Sequence, residues 1–365
     1  METTKTFQEL GVSEESLRAL EKKGVAMPTR VQEEAIPPLL AWRDVIAKAP
    51  TGTGKTFAFG IPMIEHIDPQ SDDLQGLILA PTRELAIQIA DELRGLLTFY
   101  KDIRVTVVYG GQRLEPQIRS LQQHPQIVVA TPGRLMDHYN RKNLRLDRIK
   151  TVILDEADRM LDMGFLPSMR KIIGATPASR QTLLFSATID RSIEKNLGSL
   201  LKDPAVVEVA RNGETAQTVE QFMMPIANFK KPELLQALLE EKGSDRVIVF
   251  ARTKNRTEDC AEALCDAGYR AESIHSDKSQ GQRKRALDNF RRGRTSILVA
   301  TDVLARGIDV PDVDHVINFD LPDMPEDYVH RIGRTGRAGE TGYAISFVSP
   351  EAKPELLEIE KLLGT

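Results

Sequence analysis

The sequence predicts an α/β protein of two domains, each a mostly parallel sheet covered by helices on both faces. Three observations carry that expectation. Short apolar, β-branched runs alternate with helical patterns along most of the chain, as parallel strands joined by crossover helices do. A polar stretch at 211–217 interrupts the alternation, and the same rhythm resumes after it. The length of 365 residues exceeds what one core usually organises. The expected division is therefore 1–210, a linker at 211–217, and 218–365.

Along the chain, the first apolar run, 44–47, leads into Ala49, Pro50, Thr51, Gly52, Thr53, Gly54, Lys55 and Thr56, and a helical apolar pattern follows over 57–67. Strand, glycine loop and helix are the context a phosphate-binding loop needs. Gly52 and Gly54 lack Cβ atoms, so backbone N–H groups can curl around a phosphate, and the helix start adds partial positive charge. Lys55 can then reach the β and γ phosphates while Thr56 holds Mg2+. Ala49 stands where the general pattern has glycine, so a plain turn between strand and helix remains the alternative.

Further strands are expected at 76–80, 104–109, 126–130, 151–154, 181–186 and 205–209. The run at 151–154 ends in Asp155 and Glu156, which puts two carboxylates at the C-terminal end of a buried strand, where open α/β sheets bind ligands. Asp155 fits a ligand to Mg2+, and Glu156 fits the residue that orients or deprotonates an attacking water. The same pair could be a favourably charged helix start; beside the glycine loop, the catalytic reading is the stronger.

The second half has runs at 219–226, 246–250, 270–275, 296–301, 315–319 and 343–348, and a last helix at 354–363. It carries no glycine loop followed by Lys-Thr, so one nucleotide between two similar domains is the simplest arrangement. The net charge of −4 gives no global sign of a nucleic-acid partner, which leaves the question to local patches. No 18-residue apolar run, signal peptide or lipidation pattern occurs, so a cytoplasmic protein without a membrane partner is expected. Cys260 and Cys265, five residues apart in one helical pattern, suit neither a zinc site nor a redox pair.

Asp155, Glu156, Ala157 and Asp158 spell the tetrad of the DEAD-box RNA helicases, and the resemblance extends over nearly the whole chain. It implies two tandem RecA-like domains. Ahead of the glycine loop, Gly24, Pro28, Thr29 and Gln32 resemble the family's Q motif, and Phe7 lies seventeen residues before Gly24, where the family has an isolated aromatic. The resemblance implies that Gln32 reads the adenine edge and that Phe7 stacks on the ring. Both ends of a glutamine amide can bond to adenine, at N6 and N7. Val25 departs from the aromatic usual in this family.

Pro81, Thr82 and Arg83, then Gly110 and Gly111, then Thr131, Pro132, Gly133 and Arg134 are similar to the family's RNA-contacting motifs, and each follows an apolar run. Thr131 before Pro132 suits an N-cap with proline in the first turn; such helix starts bind phosphate, and Arg83 and Arg134 add charge. Singly, each is equally a well-capped helix with a solvated arginine. Three of them at strand ends favour a groove for a sugar-phosphate backbone. Ser186, Ala187 and Thr188 resemble the motif that links hydrolysis to strand separation.

In the second half, Gln280 to Arg283 looks like the family's QxxR element, which implies an RNA contact at Arg283. Ser276 stands where the family has glycine. Residues 300–309 closely match motif V, which implies that Thr301 touches RNA phosphate and Asp309 the ATP ribose. The segment 330–337 resembles motif VI, with His330 as a coupling residue and Arg334 and Arg337 as arginine fingers. A planar guanidinium from outside the glycine-loop domain can neutralise the γ-phosphate in the transition state.

The resemblance implies an RNA-dependent ATPase, using ATP and Mg2+, that opens short RNA duplexes or remodels RNA–protein complexes by ATP-driven closure of two domains. Its partner is RNA, single-stranded or short duplex, gripped through backbone and 2′-hydroxyls with little sequence preference; protein cofactors are the other expected partners. Two alternatives stay open. The same parts could make an ATP-gated RNA clamp with slow hydrolysis, or a DNA-directed helicase of similar core.

Overall fold

The computed structural model describes residues 5–49, 52–186, 191–209, 219–243, 245–302, 313–336 and 342–363. The 211–217 linker, Thr51, Thr188, Asp309 and Arg337 lie outside the described residues. The chain divides into two compact units, Met1–Ala210 and Arg211–Thr365.

The first unit is built on a sheet of seven described strands: β1 (Val45–Lys48), β2 (Gly76–Leu79), β3 (Val105–Val108), β4 (Ile127–Ala130), β5 (Thr151–Asp155), β6 (Gln181–Ser186) and β7 (Ala205–Glu208). Their order is β3-β4-β2-β5-β6-β1-β7, and every pairing is parallel. The unbroken apolar runs follow from burial on both faces. Ile153 and Phe185 pack into one cluster, while their chain neighbours Val152, Leu154 and Leu184 pack into the other. Successive side chains of a strand point to opposite faces, so alternate residues feed two cores.

The second unit repeats the plan with β8 (Val219–Pro225), β9 (Val247–Phe250), β10 (Ala271–Ile274), β11 (Ile297–Ala300), β12 (His315–Asn318) and β13 (Gly342–Val348), again all parallel, in the order β10-β11-β9-β12-β13-β8. Val247 and Val249 face one cluster, Ile248 and Phe250 another. The α/β class and the paired parallel sheets are as the sequence predicts. Cys260 is buried and Cys265 exposed, and both are free thiols. Among the described residues no helix is long and apolar enough to cross a membrane.

Parallel strands deliver all their C-terminal ends to one edge of a sheet. Loops that follow those ends therefore meet, and the described site residues expected in the first unit's strand-to-helix loops fall on this edge.

Candidate functional site

The sheet order sorts the first unit's edge into two halves. Ends of β5, β6 and β1 carry the carboxylates, Ser186 and the glycine loop; ends of β2, β4 and β3 carry the segments with Arg83, Arg134 and Gly111.

In the first half, Gly52 (φ 82°) and Gly54 (φ 85°) both take the left-handed conformation that glycine adopts at no steric cost. Gly54 then caps the helix Lys55–Glu65. This bend turns Lys55 inward: it is 7 % exposed, and its Nζ lies 4.0 Å from Asp155 Oδ1. Nζ is buried without a hydrogen-bond partner among the described residues, as are Glu156 Oε2 and Ser186 Oγ. Three orphaned polar groups of both signs around one loop fit a polyphosphate with a divalent cation, since buried polar atoms otherwise find partners. Thr56, half-buried beside Lys55, and Asp155 are the residues that could hold the cation.

Asp155 ends β5, and its Oδ1 accepts a 3.1 Å bond from the Glu156 amide. Burial pushes its carboxyl up to about 7, with Lys55 pulling the other way and Glu156 adding to the rise. Glu156 has φ 52° and ψ 54°, left-handed for a residue with a Cβ, an arrangement that costs about 1–3 kcal/mol. That turn aims its carboxylate back beside Asp155 and leaves Oε2 3.8 Å from Arg159 Nη1.

Two expected nucleotide contacts are placed differently. Gln32 is 2 % exposed with both amide ends engaged: Oε1 accepts from the Thr29 amide at 2.9 Å, and Nε2 donates to the Gly54 carbonyl at 2.9 Å. The first bond belongs to a capping box on the helix Arg30–Leu40, so the helix start and the glycine loop take the atoms expected to read adenine. The Thr29 hydroxyl donates to the Thr53 carbonyl at 2.7 Å, a second strut under the loop. Phe7, expected to stack on the base, is 3 % exposed within the core cluster, its ring enclosed by apolar side chains.

In the second half of the edge, Thr82 caps the helix Arg83–Leu96 by accepting from the Leu85 amide at 3.3 Å, next to buried Pro81. The Arg83 guanidinium lies 5.4 Å from the Tyr109 ring centre and against Gly111, where an added Cβ would sit 2.0 Å from Nη2. Thr131 takes the N-cap position of the helix Pro132–Asn140 without a side-chain capping bond, and Arg134 Nη1 donates to the Gln112 carbonyl at 2.9 Å. Two arginines thus converge on the loop after β3. The result is a cationic patch around an exposed glycine, suited to a phosphate backbone.

In the second unit, Thr301 follows β11 and is 8 % exposed, while Arg283, on the capped helix Gln280–Arg291, is 6 % exposed and thus no solvated basic face. His330 (8 % exposed) lies in the last turn of the helix Pro325–Ile332, and Arg334 (4 % exposed) lies on the turn beyond it. Arg331, a member of the same 330–337 segment to which the sequence reading assigns no role, is wholly buried between these two.

Known proteins share this arrangement. A profile of the DEAD/DEAH box helicase family matches residues 29–196, and one of the helicase conserved C-terminal domain matches 230–339. The DEAD-box ATP-dependent RNA helicase CshA of Geobacillus kaustophilus is 48 % identical over 98 % of this chain and 76 % of its own. CshA of Limosilactobacillus reuteri is 47 % identical over 98 % and 71 %. Among solved structures, S. cerevisiae Dbp5 bound to RNA and ADP BeF3 superimposes with a TM-score of 0.90 at 33 % identity, covering 99 % of this chain and 94 % of that one. Mss116p bound to ssRNA and AMP-PNP gives 0.89 at 29 % identity, covering 100 % and 78 %. With both profiles in tandem and near-half identity over almost its full length, the chain belongs to the DEAD-box helicase family.

Proposed function

We propose that this chain is an ATP-dependent RNA helicase: it hydrolyses ATP in response to RNA and uses the cycle to open short duplexes or to remodel RNA–protein complexes. The observation that carries this reading is the division of one sheet edge, with the orphaned polar atoms of Lys55, Glu156 and Ser186 beside Asp155 on one half and the Arg83–Gly111–Arg134 groove on the other. Neighbouring strands fix the distance between the halves, so a rigid element links nucleotide and RNA. The RNA-bound structures of Dbp5 and Mss116p support the same partner.

In this reading Lys55 neutralises the β and γ phosphates, and Glu156 orients the attacking water and takes its proton. Thr56 and Asp155 would hold Mg2+, which would supply positive charge to the bound phosphates. Arg334, with Arg337, stabilises charge that develops on the γ-phosphate. Arg83, Arg134, Thr131 and Gly111, with Pro81 and Thr82 at the helix start, grip the RNA backbone; Thr301 and Arg283 extend the grip, and Ser186, Thr188 and His330 couple it to hydrolysis. Gln32 and Phe7 serve adenine only after giving up their present contacts, and Thr51, Thr53 and Asp309 complete the nucleotide set. Closure of the two units is favoured by ATP and RNA together, so each ligand raises affinity for the other. The two free thiols suit a cytoplasmic setting.

ATP hydrolysis at modest salt, with and without unstructured RNA, tests the reading alongside Glu156→Gln and Arg334→Ala. The expected result is strong stimulation by RNA but not by DNA, lost in both variants by about 100-fold or more. Equal stimulation by DNA would overturn the RNA assignment. Tight ATP-dependent RNA retention with negligible turnover would replace the helicase by a clamp.

A further inference from the structure

We propose that Trp42, backed by His66 and flanked by Arg43 and Lys150, forms a second site for single-stranded RNA on the N-terminal edge of the first sheet, opposite the edge that carries Arg83 and Arg134. The inference goes beyond the function proposed above. The helix Arg30–Leu40 ends in a Schellman turn: the Trp42 amide donates to the Leu39 carbonyl at 3.1 Å, and the Arg43 amide to the Pro38 carbonyl at 3.0 Å. Such a turn needs one left-handed residue, usually glycine. Here it is tryptophan, at φ 59°, where a bulky side chain is a steric outlier. Glycine would close the same turn without that cost.

Burial does not explain the choice, because Trp42 is 48 % exposed. One face of its indole lies on the His66 ring, with centroids 4.0 Å apart and planes 9° from parallel, which leaves the other face to solvent. His66 follows the helix Lys55–Glu65, and its Nε2 donates to the Leu40 carbonyl at 3.3 Å, so the lower ring is held in place. A flat aromatic ring, supported beneath and open above, is a surface on which nucleobases of any identity stack.

The cations sit beside it. Gln181, the first residue of β6, donates its amide to the Lys150 carbonyl at 2.8 Å and its Nε2 to the Arg43 carbonyl at 2.8 Å, so one residue bridges the segments that precede β5 and β1. Lys150 also reaches His66: burial pushes the imidazole down, the Leu40 bond opposes this, and the Lys150 charge adds to the fall. The carboxylates close by are turned to backbone. Asp44 is 6 % exposed and accepts from the Thr182 amide at 2.8 Å and the Lys202 amide at 2.7 Å, while Asp68 accepts from the Gln70 amide at 3.0 Å. An open indole between an arginine and a lysine complements a base flanked by phosphates. The helix Lys55–Glu65 starts at the glycine loop and ends at this platform, and its eleven residues put about 16 Å between the two.

Trp42 is the chain's single tryptophan, so intrinsic emission reports on the platform alone. The test titrates the full chain, without nucleotide, with a uridylate oligomer of about ten nucleotides. Saturable quenching is expected, and it should survive in Arg83→Ala/Arg134→Ala, which weakens the grip of the opposite edge. Arg43→Ala/Lys150→Ala should weaken binding and flatten its salt dependence by about 1.4 in log Kd per tenfold change in salt, the share of two phosphate contacts on a single strand. In the Arg83→Ala/Arg134→Ala background, Trp42→Gly should raise the Kd for a fluorescently labelled oligomer about fivefold or more, with the first unit's urea midpoint kept or raised. A merely structural tryptophan would instead lower that midpoint and leave the Kd unchanged. The proposal is overturned if RNA leaves the emission unchanged, or if Trp42→Gly binds RNA as tightly as its background. It is overturned in favour of an acidic peptide if oligoglutamate of equal charge quenches as well as RNA. RNA-stimulated hydrolysis belongs to the opposite edge, so absence of quenching would leave the proposed function standing, and absence of stimulation would leave this site standing.

Discussion

At Gly111 two independent demands meet on one residue: the backbone sits at φ 78°, and the Arg83 guanidinium occupies the space of a side chain. Gly111→Ala is therefore expected to lose about 1–2 kcal/mol of first-unit stability, from the left-handed alanine, and to weaken RNA binding by displacing Arg83. Urea unfolding and an RNA titration check the two effects, and unchanged RNA affinity would show that Arg83 needs no such seat. This residue was legible in the sequence only through its resemblance, whereas Lys55, Asp155 and Glu156 were legible by chemistry, because residue type and place after a strand carry their role. Gln32 and Phe7 were legible as members of a motif but not in their contacts. An amide that caps one helix and props a loop 22 residues away depends on tertiary placement that no local pattern encodes. Arg331 likewise was legible as a member of the 330–337 segment but not in its contacts, since its partner Asp302 is 29 residues distant.

Among the elements, the helix Lys254–Asp266 is fastened to β10 by Glu258, which accepts from Ser273 Oγ at 2.6 Å, pairs with His275 Nε2 at 2.6 Å, and lies 3.3 Å from Lys278 Nζ. Burial pushes the Glu258 carboxyl up, but these donors outweigh it and bring the group down to about 2. A depressed carboxylate adds stability above its unfolded value near 4.5 that fades as pH falls through about 2. Glu258→Gln should then destabilise the second unit at pH 7 by about 1 kcal/mol, a discounted figure because the side chain is 48 % exposed. The deficit should shrink between pH 4 and pH 2; urea midpoints across that range check it, and a pH-independent deficit would refute the electrostatic account. Strands were the legible elements, because burial on both faces leaves unbroken apolar runs such as β4 and β9. The helices Glu14–Lys22 and Arg30–Leu40 were not assigned from sequence: the first has a mostly polar surface, and the second carries Pro37 and Pro38 inside it.

For the whole molecule, separate clusters serve the two units, so a core defect in one should leave the other's unfolding unchanged. Leu154→Ala and Val299→Ala each remove a fully buried side chain, and the first should cost about 2–5 kcal/mol in the first unit alone. ATP at about 100 times its Kd should raise that same transition by about 2.7 kcal/mol, read by thermal melts of variants with and without nucleotide. A shift in both transitions by either core variant would show one cooperative body. The all-parallel sheet also sets a timetable. β1, the strand that delivers the glycine loop, has no neighbour close in sequence: it lies between β6 and β7, with Lys48 paired to Glu208 across 160 residues. Closing such long loops is slow, and a strand synthesised near the beginning must wait for partners made near the end of its unit. During synthesis and refolding alike, the ability to hold a phosphate arrives last.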